Sequence, residues 1–125
     1  MFMLPQEVEV WYIIPALRKE YAKILTKEYG LSYEKVGKIL GTTKAAVSQY
    51  ISDKRANKVK LSREVKSKIK DSAKKVSKNP QIWLSDVQEI MKYMRQTKCS
   101  CNVCKHYNKE ILDYCNCQPE VYCQR

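Results

Sequence analysis

No cysteine occurs in the first 98 residues of this 125-residue chain, and His106 is its only histidine. The first absence excludes disulfide stapling of the main body. The second, with no paired-carboxylate, Ser–His–Asp or phosphate-loop pattern, leaves catalysis without its usual side chains, so no enzymatic activity is expected. No apolar run approaches the ~20 residues of a membrane span. A charged leader followed by an apolar stretch and a cleavage site is missing from the first residues. No signal peptide is therefore expected, and the chain reads as cytoplasmic with no membrane partner. Acidic residues are scarce, with 13 Asp and Glu against 24 Lys and Arg and a formal net charge of +11. The imbalance is local, because residues 44–78 hold 12 basic and 3 acidic side chains, nine of the eleven surplus charges. Such a stretch is the electrostatic footprint of a phosphate backbone, or else a solvated lysine-rich surface.

The most informative stretch is Leu31 to Arg55, LSYEKVGKILGTTKAAVSQYISDKR. Its spacing predicts two short helices joined by a tight turn. Val36, Leu40, Thr42, Val47 and Tyr50 fall where two packed helices need buried side chains. Gly37 falls where those helices approach most closely, and Gly41 where a residue free to take positive φ ends the first of them. Thr43 is placed to cap the second helix through its hydroxyl, as Ser32 caps the first. The outward face carries Lys44, Ala45, Ser48 and Gln49, with Asp53, Lys54 and Arg55 near its end. These are side chains suited to base edges and phosphates. An ordinary αα-hairpin in a bundle is the alternative reading.

Around this unit the pattern is helical throughout. Residues 6–29 place Val10, Ile14, Leu17, Tyr21, Ile24 and Leu25 at helical spacing, with Pro15 predicting a kink or a meeting of two helices. Trp11, Tyr12, Ile13 and Ile14 read as core, or as a dimer surface. Gly30 ends that helix. Ser62 opens a further helix with an apolar stripe of Leu61, Val65, Ile69, Ala73 and Val76, between which Lys66, Lys68, Lys70, Lys74 and Lys75 face out. Asn79 and Pro80 are expected to cap and start a last helix carrying Trp83, Val87, Ile90, Met91 and Met94. The fold class is all-α, a bundle of about five helices over residues 1–97, followed by a cysteine-rich tail over 98–125.

The segment GTTKAAVSQYISDKR resembles the recognition-helix region of the lambdoid phage repressor and Cro family, over about residues 31–56. The resemblance implies a lambda repressor-like helix-turn-helix fold. It also implies that Lys44, Ala45, Ser48 and Gln49 read the major groove of double-stranded DNA. Ala45 departs from the polar residue that many members carry, and a thymine methyl is what it can contact. With the flanking cations, the candidate DNA-contacting set is Thr43, Lys44, Ala45, Ser48, Gln49, Lys54, Arg55 and Lys58. Operator-binding proteins of this kind pair to span two half-sites, so a homodimer is expected.

The tail spaces its cysteines as C-x-C-x2-C, ten residues, then C-x-C-x5-C. It has too few aliphatic side chains for a core of its own, and a bound metal is a way to order such a segment. Four thiolates suit zinc or an iron–sulfur cluster. The second pair, Cys115 and Cys117, departs from the two C-x2-C units of a zinc ribbon, and clusters tolerate such spacing better. The candidate ligands are Cys101, Cys104, Cys115 and Cys117, with Cys99 and Cys123 as further possibilities. Metal-free redox thiols are the third reading, and His106 is a bystander. The chain also resembles archaeal transcriptional regulators that follow a helix-turn-helix with a short cysteine-rich C-terminus. EVEVWYIIPALR, the motif above, and Cys101-x2-Cys104 carry that resemblance. It implies a transcriptional regulator whose cysteines hold an iron–sulfur cluster, [4Fe–4S] in type, that senses redox state, oxygen or iron. A nucleic-acid-binding factor with a structural zinc is the alternative.

Overall fold

The computed structural model describes residues 4–56 and 59–97. Lys58 and all six cysteines lie outside the described residues, and with them the expected tail site. Among the described residues the fold is all-α, with no strand. No described helix is long and apolar enough to cross a membrane.

The first helical stretch is unbroken. It comprises α1 (Pro5–Val8), a π turn (Glu9–Ile13) and α2 (Ile14–Lys27). Pro15 therefore does not divide the stretch into two helices, one of the two outcomes its position suggested. Proline lacks an N–H, and its ring crowds the carbonyl four residues back. Just before Pro15 the winding loosens: the Ile14 N–H donates to the Glu9 carbonyl, five residues back. A turn wound one residue wider carries the proline that a regular turn would exclude.

That extra residue also shifts the register. Beyond the π turn, Leu17, Tyr21 and Leu25 are fully buried as expected. Within it, and just before it at Val8, the inward positions go to Val8, Glu9 and Ile13, while Val10 and Trp11 are 61% and 69% exposed. Val10 is thus off the inward stripe that a uniform helical period predicts, because the π turn shifts that period, and Trp11 lies outside the core, which leaves the surface reading for it. Glu9 is held instead by Arg95 of the last helix through two bonds, Nη2 to Oε2 at 2.6 Å and Nε to Oε1 at 3.1 Å.

Four further helices follow: α3 (Tyr33–Leu40), α4 (Lys44–Ile51), α5 (Arg63–Lys78) and α6 (Ile82–Gln96). The long helix α2 packs on α3, α4 and α5, and α6 completes the bundle against α5. Leu61, Val65, Ile69, Ala73 and Val76 join Val87, Ile90, Met91 and Met94 in the core. Trp83 is only partly buried and meets the Tyr21 ring edge-on at 4.7 Å between centroids. The Tyr21 hydroxyl donates to Ser72 Oγ at 2.7 Å, and Ser72 donates to Asp86 at 2.6 Å, so a buried polar chain links α2, α5 and α6. Helix α6 starts two residues later than expected. Asn79 and Pro80 form a turn whose carbonyls accept from Ile82 and Trp83, and no side chain caps α6.

Candidate nucleic-acid interface

Helices α3 and α4 are set against each other by small residues and caps. Ser32 Oγ accepts from the Lys35 amide at the start of α3. Gly41 ends α3 at φ +68°, in the left-handed region that favours glycine. Thr43 Oγ1 accepts from the Ala46 amide at 3.0 Å and starts α4. A Cβ on Gly37 would sit 3.0 Å from the Thr42 carbonyl oxygen and 3.2 Å from the Thr43 carbonyl carbon. Gly37 therefore packs directly against the backbone of the turn into α4, and a side chain there would have to push that backbone aside. From α2, Arg18 Nε donates to the Leu40 carbonyl at 3.1 Å and pins the end of α3.

Packing divides α4 cleanly. Ala46, Val47 and Tyr50 are buried, while Lys44, Ala45, Ser48 and Gln49 are exposed, as is Thr43 before them. Positions 44, 45, 48 and 49 lie on one face of a helix. That face thus holds a cation, a methyl, a hydroxyl and an amide, a set able to donate, accept and make apolar contact at base edges.

The end of α4 was not legible in advance. Asp53 stands in the left-handed region at φ +60°. Its amide donates to the Tyr50 carbonyl, and the Lys54 amide donates to the Gln49 carbonyl at 2.9 Å. This is a Schellman cap with aspartate in the usual glycine place. Lys19 and Lys23 of α2 reach the Asp53 carboxylate at 2.8 and 3.0 Å. Hydrogen bonds from Lys19 and then Lys23 lower its pKa to about 2. Asp53 is thereby committed to α2 and does not serve the outward face. Lys54 and Arg55, just beyond it, are exposed, and the Arg55 guanidinium lies 6.0 Å from the Tyr50 ring centre.

The basic stretch does not form one continuous stripe. Lys68 and Lys75 share a groove with Asp71, Asp86 and Glu89, and Lys68 Nζ lies 4.4 Å over the Tyr93 ring. Lys92 lines the same groove, so cations and carboxylates are mixed there. The exposed cations on or beside that face of α4 are Lys44, Lys54 and Arg55. Among the described residues, no group of three or more His, Cys, Asp or Glu side chains gathers to hold a metal ion.

A second groove, of about 800 Å³, opens beside this unit. Trp11, Tyr12 and Arg18 of the first helical stretch line it opposite Tyr50, Lys54 and Arg55. Nothing in the residue spacing announced it, since it depends on the π turn carrying Trp11 out of the core. No protein-family model, curated protein sequence or solved structure matches the chain.

Proposed function

We propose that this chain is a sequence-specific DNA-binding transcriptional regulator, with α3 and α4 as a helix-turn-helix and α4 as the helix that enters the major groove. The observation that carries this reading is the exposed face of Lys44, Ala45, Ser48 and Gln49 on a helix capped at both ends and seated on Gly37. Gln49 has the amide geometry to bond adenine, Lys44 suits guanine, Ser48 suits any base edge, and the Ala45 methyl suits thymine. Thr43, Lys54 and Arg55 hold phosphates, and Lys58 joins them. Two copies set half-sites about 34 Å apart.

The tail's six thiols form a soft donor set that fits an iron–sulfur cluster or zinc, with Cys101, Cys104, Cys115 and Cys117 as ligands. A [4Fe–4S] cluster would supply a redox- or iron-responsive state; zinc would supply local folding energy. Iron, zinc and acid-labile sulfide analysis of protein purified without oxygen separates the two. Iron with sulfide and a brown colour supports the cluster, stoichiometric zinc in colourless protein supports the structural site, and neither metal refutes both.

The DNA reading is tested by selecting a duplex from a random pool and measuring affinity by fluorescence anisotropy. Gln49→Ala should lose about 1–3 kcal/mol on the selected site and relax preference at one base pair. Lys54→Ala should weaken every sequence alike and reduce the salt slope by about 1. If Gln49→Ala weakens all sequences equally, α4 is not the reading helix.

A further inference from the structure

The groove beside α4 joins three aromatic rings to three cations. Trp11, Tyr12 and Tyr50 line it with Arg18, Lys54 and Arg55, and no Asp or Glu is among the described residues that do so. Its volume of about 800 Å³ falls within the range of small-molecule sites. Trp11 is the most exposed large apolar side chain among the described residues. It stands there because the π turn rotates it off the core, and π turns inside helices recur at functional sites. The carboxylates adjacent to it along the chain, Glu9 and Asp53, are engaged by Arg95 and by Lys19 with Lys23, so among the described residues neither answers the groove's positive charge.

We infer that this groove binds a nucleotide unit, a planar base stacked on Trp11 with its phosphate held by Arg18, Lys54 or Arg55. Aromatic faces accept any base by stacking, and guanidinium and ammonium groups hold phosphate. An uncharged aromatic ligand would leave the cations unused, and a bare anion would leave the rings unused. The nucleotide is either free or part of a single strand. Because Lys54 and Arg55 also serve as phosphate contacts in the proposed DNA complex, a free occupant competes with duplex. That consequence alone rests on the DNA reading.

The test uses the full chain carrying Trp83→Phe, so that Trp11 is the only tryptophan. Its fluorescence is titrated with AMP, with adenosine, with inorganic phosphate and with a short oligodeoxyadenylate. Saturable quenching by AMP, at least about tenfold tighter than by adenosine or phosphate, is expected and assigns a free nucleotide. Saturation by the oligonucleotide but not by AMP assigns a strand. Linear quenching by every probe, at the slope of free tryptophan amide, overturns the inference. So does a Trp11 signal that shifts with protein concentration alone, which would give the face to a second copy of the chain. A Trp11→Ala chain with unchanged circular dichroism should bind AMP or the oligonucleotide at least about tenfold more weakly by calorimetry, and undiminished binding overturns the site. Duplex anisotropy on the same protein keeps the two proposals apart. Intact Gln49-dependent duplex binding without nucleotide binding refutes the groove alone. Nucleotide binding without duplex binding refutes only the DNA reading.

Discussion

Removing Arg95 should unfold this bundle more effectively than removing any surface cation. Arg95 and Glu9 are 86 positions apart and join the π turn to α6 through two parallel hydrogen bonds of 2.6 and 3.1 Å. Their side chains are 11% and 8% exposed. Arg95→Met would leave the Glu9 carboxylate nearly dry and without its cation. Breaking a buried pair in this way costs about 3–5 kcal/mol, and the slight solvent contact here argues for about 3. With a urea slope of about 1.5 kcal/mol per molar, the midpoint should fall by about 2 M. Glu9→Met should cost a similar amount. The double variant, Glu9→Met with Arg95→Met, removes both charges and fills the space with apolar volume. It should lie within about 1 kcal/mol of the parent, since replacing a buried pair is often neutral. Chemical denaturation of the four proteins closes the cycle. If Arg95→Met costs less than about 0.5 kcal/mol, the pair behaves as a surface bridge and the burial argument fails. If the double variant costs the sum of the two single ones, the residues are not coupled at all.

Two other expectations concern the α3–α4 unit and the buried tyrosine. Gly37→Val should destabilise by about 2–3 kcal/mol through overpacking against the Thr42–Thr43 backbone. Gly41→Ala should lose only about 1 kcal/mol, because its open surroundings leave strain as the sole cost; urea midpoints in the reverse order would mean that the α3–α4 approach is looser than 3.0 Å implies. Burial, aided by the nearby Asp86 charge, pushes Tyr21 from 10.0 up to about 12. A pKa raised on folding favours the protonated form, so this contribution is whole below pH 10 and is lost between about 10 and 12. Thermal unfolding from pH 9 to 11.5 should show that loss, and Tyr21→Phe should flatten it; an equally steep loss in Tyr21→Phe would assign it to other groups.

The α3–α4 unit was legible because each of its constraints is local. Gly37, Gly41 and Thr43 act within a few residues of themselves, and Val36, Leu40, Val47 and Tyr50 follow one helical period. Both conditions let residue type and spacing stand in for coordinates. The N-terminal stretch was not legible for the opposite reason. Pro15 announced a disturbance, and whether the chain answers by breaking or by winding wider is decided by what the helix packs on. Glu9 shows how far that decision reaches. It is a carboxylate among apolar neighbours, and the partner that makes its burial tolerable stands 86 positions away.

The end of α4 joins the two kinds of information. A Schellman cap ordinarily announces itself by glycine, and this chain has only three glycines, none after Gly41. Asp53 fills the place because a short polar side chain tolerates positive φ, and because its carboxylate meets Lys19 and Lys23 on the neighbouring helix. The same contact removes the one acidic side chain between Lys44 and Arg55 from the face proposed for DNA. It fixes where the chain leaves α4, and so where Lys54 and Arg55 stand relative to both the exposed face of α4 and the Trp11 groove. Asp53→Gly would satisfy the backbone without strain, yet it would free Lys19 and Lys23 and untie the cap from α2. A fall in duplex affinity with fold stability kept would show that the aspartate's service is to aim the two cations. Unchanged affinity would show that the turn alone suffices.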